Sequence, residues 1–186
     1  MRHRLVLLVA SLALLVLALD YWTKERALAT LTAGERIDLL GPLLGLELVF
    51  NPGAALSMAE GMTWVLTLVA VGVVVVVIRV AGHLGSRLWA VAFGLLLGGA
   101  LGNLVDRFFR APGPGRGHVV DFIAYGDWFV GNVADIAIVV AAGLIMLQTL
   151  RGVRLDGTRD HRSQAAAETT PPDEAADRPQ AADERP

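Results

Sequence analysis

The sequence predicts an all-α polytopic membrane protein, with four transmembrane helices and a small extracytoplasmic β-element. Three observations predict it. Apolar residues make up 54% of the 186 residues and charged residues only 18%. The apolar residues gather into four runs that approach the ~20 residues a bilayer span needs. The conspicuous polar residues then fall at one pair of span ends rather than at both.

The first run, residues 5–19, is broken only by Ser11 and gains length from Tyr21 and Trp22, whose rings suit the membrane–water interface, giving a span over about 5–22. Arg2, His3 and Arg4 ahead of it also describe a secretory signal peptide, with Ala27-Leu28-Ala29 as a cleavage site. Asp20 and Lys24, lying between the apolar core and that site, speak against cleavage. An outer loop over about 36–60 follows. Its segment 38–50 (DLLGPLLGLELVF) alternates loosely, punctuated by Gly41-Pro42 and Gly45, and reads as one or two short strands. Asn51-Pro52-Gly53 is a turn, leading into the small residues of 54–58. A substrate backbone could lie close there, with Asn51 offering its amide, although an ordinary turn is the plainer reading.

The second span is expected over about 63–79, the third over 87–105 and the fourth over 132–150. Gly94, Gly98, Gly99 and Gly102 give the third a small-residue face for close helix approach. Between the last two spans, 111–117 (APGPGRG) reads as a flexible link and 119–123 (VVDFI) as a short segment dipping into the interface. Asp127-Trp128-Phe129 reads as an interfacial anchor. Residues 1–154 thus form one membrane domain. Residues 155–186, rich in Ala, Asp, Glu, Arg and Pro with almost nothing to bury, are expected to be a disordered cytoplasmic tail.

Arg2, Arg4, Arg79, Arg87, Arg151 and Arg154 flank the spans on one side, in short segments without acids, which places both termini in the cytoplasm. The opposite, outer side holds Asp20 and Lys24, Asn51, Asn103 with Asp106 and Arg107, Asp121, and Asn132 with Asp135. Helical spacing puts Asp20 and Lys24 on one side of their helix, and likewise Asn103 with Asp106 and Arg107, and Asn132 with Asp135. A polar pocket at the outer rim of a helix bundle follows.

A carboxylate beside a lipid-spanning stretch is costly and is a functional hypothesis by default. Asp121 and Asp135 together suggest a pair that shares one proton and activates water. Each has a plainer reading: Asp135 as a helix cap, Asp121 as a solvated loop residue, Asp106–Arg107 as a local ion pair, Asp20–Lys24 as a structural pair at the rim. A proton conduit would want ionisable groups near mid-bilayer, where the first three spans carry none. A scaffold using the glycine face would leave the aspartates idle. The chain has no cysteine, so it forms no disulfide, offers no thiolate ligand and is not itself lipidated on cysteine. Its four histidines are scattered, and no metal or cofactor is expected.

Five segments in order, DYWTK (20–24), FNPGAALSM (50–58), GNLVDR (102–107), VVDFI (119–123) and NVADIAI (132–138), resemble the bacterial lipoprotein signal peptidase family, the type II signal peptidases. The resemblance covers the whole span region. It implies an aspartic endopeptidase of the plasma membrane that removes signal peptides from diacylglyceryl-modified prolipoproteins, cutting before the lipidated cysteine. Asp121 and Asp135 fall on the catalytic positions. Asn51, Gly53, Asn103, Asp106, Arg107 and Asn132 fall on pocket positions, with Asp20 and Lys24 on the family's other polar motif. Gly131 stands where the family usually has Phe, which bears on loop shape and substrate fit. Lipidated prolipoproteins and membrane lipids are the expected partners, nucleic acid is not, and a monomer is expected.

Overall fold

The computed structural model describes residues 2–53 and 63–159. The small-residue run 54–58 and most of the acidic tail lie outside the described residues. Four helices are long and apolar enough to cross a membrane: α1 (Arg2–Thr30), α2 (Thr63–Ala81), α3 (Arg87–Phe109) and α4 (Val133–Leu150). With 29 residues, α1 is about 43 Å long at 1.5 Å per residue. That exceeds the ~30 Å hydrocarbon layer. Asp20 and Lys24 lie on this same continuous helix, beyond the apolar run 5–19.

Packing centres on α3, which lies against α1 and α4 and, less extensively, α2. Its glycines explain how. A Cβ at Gly94 would lie 2.8 Å from the Leu12 Cβ, and one at Gly98 would lie 2.7 Å from the Val16 Cβ and 2.8 Å from the Ala13 carbonyl oxygen. At Gly99 it would meet the Ala134 carbonyl oxygen at 2.6 Å. The glycines thus serve two helices, not the one face that spacing suggests: Gly94 and Gly98 admit α1, Gly99 admits α4. Replacing Gly98 by Val is expected to destabilise the bundle by about 1–3 kcal/mol through overpacking, read as a lower melting temperature in detergent.

Four strands form one antiparallel sheet in the order β1-β2-β3-β4: β1 (Arg36–Asp38), β2 (Leu44–Asn51), β3 (Val119–Tyr125) and β4 (Phe129–Gly131). The alternating segment does form strands. The VVDFI segment, not expected to be a strand, forms most of inner strand β3, which pairs with β2 from Val119 and with β4 from Ile123 and touches α1 and α3. The link before it is tied down as well. The Gly117 N–H donates to the Arg107 carbonyl (3.0 Å), the His118 N–H to Ala111 (2.9 Å), and the Thr67 hydroxyl to the Gly115 carbonyl (2.8 Å).

At the other end of the bundle, the chain folds back after α4. The Gly85 N–H donates to the Leu155 carbonyl (2.8 Å) and the Trp89 indole N–H to the Val153 carbonyl (3.2 Å). The Gly85 backbone packs directly on Asp156 and Gly157, with no room for a Cβ. Packed structure thus continues past residue 154, as far as this clasp extends.

Candidate active site

Five elements deliver the polar residues singled out by sequence to one place. Asp121 is on β3, opposite Val49 of β2, while Asn51 stands opposite Val119. Asp121 and Asn51 are therefore diagonal neighbours on one sheet face, within reach of each other. The Asn51 Nδ2 donates to Asp121 Oδ2 at 2.8 Å. The amide of Asn51 faces the carboxylate instead of lying open to a substrate backbone. Its oxygen accepts from the Gly53 N–H at 2.7 Å. Gly53 has φ +110°, and a Cβ there would lie 2.5 Å from Leu66 Cδ1, so this turn accepts only glycine without strain.

Asn132 is the hub. It caps α4 in a reciprocal capping box with Asp135: its side-chain oxygen accepts the Asp135 N–H (3.0 Å), and its own N–H donates to Asp135 Oδ2 (3.2 Å). Its Nδ2 donates to Asp121 Oδ1 at 2.6 Å and to Asn103 Oδ1 at 3.2 Å. The Asn103 Nδ2 in turn donates to Asp135 Oδ1 at 2.9 Å. One fully buried asparagine thus touches both carboxylates, and every oxygen of the pair accepts a hydrogen bond. Asp135 does cap its helix, as the plainer reading has it, and it does so while sharing Asn132 with Asp121.

Asp121 is 1% exposed. Burial pushes its carboxyl up to about 6, aided by the neighbouring Asp135 charge and opposed by the Asn51 and Asn132 amides and Lys24. Such a group keeps a proton into the range where an ordinary carboxyl has lost it.

Behind this pair lies a second layer of charge. The Lys24 ammonium, 1% exposed, contacts Asp20 Oδ2 at 2.7 Å, Asp106 Oδ2 at 2.8 Å and Asn103 Oδ1 at 3.2 Å. The Asp20–Lys24 pair is buried inside the bundle, not placed at its rim. Asp20 Oδ1 accepts the Ala134 N–H (2.9 Å), joining α1 to the first turn of α4. Asp106 Oδ2 accepts the Val120 N–H (3.2 Å), joining α3 to β3. The Asp106–Arg107 ion pair is not formed: Asp106 pairs with Lys24 and Arg110. Arg107 donates Nη1 to the Gly117 carbonyl at 3.2 Å, clamping the loop that leads into β3.

Two supporting residues escape a reading by motif. Arg110 binds Asp106 and reaches Glu25 Oε1 at 2.9 Å. The signal available was the i,i+4 spacing of Asp106 and Arg110. Among the described residues, no three side chains of metal-ligating type are grouped to hold an ion.

The comparisons with known proteins follow this geometry. The family model described as Signal peptidase (SPase) II matches residues 12–151. A lipoprotein signal peptidase of Rhodococcus jostii is 56% identical over 157 residues, covering 84% of this chain and 79% of that protein. One from Leifsonia xyli subsp. xyli is 45% identical over 179 residues, covering 94% and 83%. One from Mycobacterium avium is 52% identical over 149 residues, covering 80% and 82%. A solved bacterial membrane enzyme superposes with a TM-score of 0.67 at 25% identity, covering 77% of this chain and 92% of its own. The helices, the sheet and the shared sequence agree: this chain is a multi-pass bacterial membrane protein and belongs to the signal peptidase II family, the lipoprotein signal peptidases.

Proposed function

We propose that the chain removes signal peptides from diacylglyceryl-modified prolipoproteins, cutting before the lipidated cysteine with water activated by Asp121 and Asp135. The observation that carries this reading is Asn132, whose amide and backbone hold both carboxylates at once. The neighbouring Asp135 charge favours a proton on Asp121. Asp121, with its carboxyl raised to about 6, is the member that keeps the proton. Asp135, bonded by the Asn103 amide and the Asn132 N–H, is the base.

The steps follow from these roles. Asp135 takes a proton from water as its oxygen attacks the scissile carbonyl carbon. Asp121 donates its proton to the carbonyl oxygen, which gives a neutral gem-diol. Collapse of that intermediate breaks the C–N bond, with the Asp135 proton passing to the leaving amine of the lipidated cysteine and Asp121 recovering its own. Lys24 holds Asn103, and through it Asp135, in place.

The site lies at the extracytoplasmic face, with both termini in the cytoplasm. Exposed Tyr21, Trp22 and Trp64 mark the membrane boundary near the site, and Arg79, Arg87 and Arg151 flank the opposite helix ends. The working unit in this reading is a monomer among membrane lipids. Residues 160–186 are dispensable for cleavage.

A pH profile tests the assignment of the proton. The active form requires protonated Asp121, whose carboxyl is raised to about 6, so kcat/KM should fall as pH rises through that value. Bound substrate excludes water and moves the limb in kcat to higher pH. Asn51→Ala removes a donor that favours the ionised form and should shift the kcat/KM limb upward. The measurement is cleavage of a purified lipidated precursor across pH. A limb that ignores Asn51→Ala removes Asp121 as the acid.

A further inference from the structure

At the end of the sheet remote from Asn51 and Val119, two turns meet. The β1–β2 turn, residues 39–43, and the β3–β4 turn, residues 126–128, are joined where the Gly126 N–H donates to the Leu43 carbonyl at 2.9 Å. Leu39, Leu40, Leu43 and Trp128 project from them, Leu43 being 78% exposed and Trp128 96%. We propose that this double turn is immersed in the lipid at the membrane boundary beside α4 and moors the sheet, with Asp121 on it, to the bilayer surface. Residues 127–129, expected from sequence to be an interfacial anchor, form only half of it.

Three features select lipid as the partner. The first is position. Tyr125 and Phe129, which bracket the second turn, border one cavity together with Ile136, Val139 and Val140 of α4. Val140 is seven residues past Val133, the start of α4, or about 10 Å along the axis at 1.5 Å per residue. Both valines belong to the outward surface of a helix long and apolar enough to cross a membrane. The double turn therefore stands beside a lipid-facing surface, at the level of the first turns of a span.

The second feature is that the turns satisfy their own backbone. The Leu39 and Leu40 N–H groups donate to the Leu44 carbonyl at 2.9 and 3.0 Å, Leu43 to Leu40 at 3.2 Å, and Trp128 to Tyr125 at 3.3 Å. Pro42 has no N–H to satisfy. The Arg36 guanidinium donates to the Pro42 carbonyl at 2.9 Å and to the Gly126 carbonyl at 2.7 Å. At an exposed turn water would serve these groups as well. Lipid would not, so a segment entering the boundary has to bring its partners with it. A protein partner would look for about one hydrogen bond per 100–200 Å² of interface, and the double turn keeps few groups to offer.

The third feature is charge. The same guanidinium bonds Asp38 at 2.9 Å and Asp127 at 3.0 Å, the two acids that flank the apolar tip. Exposed ion pairs hold little in water, whereas the lower dielectric beside lipid strengthens them. Arg36 thus joins both turns and offsets the charge next to the leucines. Asp121 lies four residues before Tyr125 on the same strand, so the depth of the double turn sets the height of Asp121 over the bilayer.

The test uses the full-length enzyme in phospholipid nanodiscs, open to solvent on both faces. The chain has no cysteine, so a nitroxide can be attached at Leu40→Cys or Leu43→Cys alone. Glu35→Cys, exposed ahead of β1, gives the water reference, and Leu14→Cys, exposed on the apolar run of α1, the lipid reference. Each label is scored for collisions with oxygen, which concentrates in lipid, and with nickel ethylenediamine diacetate, which stays in water. Labels at 40 and 43 should rank with Leu14, favouring oxygen over nickel, and opposite to Glu35. These side chains are exposed, so the substitutions leave the fold intact.

A second measurement needs no label. Phospholipids brominated near the headgroup end of their acyl chains should quench the part of the emission that Trp128→Phe removes. Labels that meet nickel as freely as the one at Glu35 overturn the proposal, as does Trp128 emission that bromine leaves untouched. Labels shielded from both reagents overturn it too, since they would place a protein surface over the tip.

Discussion

Asp121→Asn and Asp135→Asn should each insert and fold yet lose cleavage of a lipidated precursor by about 10²–10⁴-fold or more, the usual contribution of a positioned acid or base. The geometry makes the fold cost separable from the chemical one. Both oxygens of each carboxylate accept hydrogen bonds, Asp121 from Asn51 and Asn132, Asp135 from Asn103 and Asn132. An asparagine turns one acceptor into a donor that faces a donor, which costs about 1–3 kcal/mol. Each variant should therefore melt somewhat earlier, while its activity falls far beyond what the remaining folded fraction explains. Asp121→Ala and Asp135→Ala relieve the donor clash and should remain inactive. Full cleavage by any variant of one aspartate would remove that residue from the pair.

Lys24→Met should be the most destabilising single change in the domain, at about 3–5 kcal/mol, because it strands buried carboxylates without their cation. Asp20 is fully buried and has Lys24 as its only ionic partner among the described residues, whereas Asp106 retains Arg110. Adding Asp20→Asn to Lys24→Met should recover part of the loss, since an asparagine oxygen can still accept the Ala134 N–H. Lys24→Met should also slow cleavage, because Asn103 loses the ammonium that orients it toward Asp135. Denaturation midpoints of parent, single and double variants give the cycle. A double variant no more stable than Lys24→Met would show that Asp20 does not carry the stranded charge.

The helices were legible because apolar runs of span length have few other uses in water. Glycines 94, 98, 99 and 102 announced close packing. Their division between α1 and α4 needed three dimensions, since residues four apart share a face while Gly98 and Gly99 point about 100° apart. β3 was missed as a strand because both of its faces are largely buried, so residues 119–125 lack the alternation that marks a half-exposed strand. The convergence of Asp20, Lys24, Asn103, Asp121, Asn132 and Asp135 was readable from their position at one end of the spans. Which acid meets which base was not. Asp106 pairs with Lys24 from another helix and with Arg110 a turn away, not with the adjacent Arg107, because consecutive helical residues point about 100° apart.

The fold-back after α4 has a practical bearing on how this enzyme is handled. Shortening the protein at the end of its last helix would uncover Trp89 and Leu84, which are buried, and would remove the carbonyls that receive Gly85 and the indole. A purification handle or reporter is best joined after residue 159, where the docked turn is complete. An excision that begins at 151 removes this clasp, and one that begins at 160 keeps it.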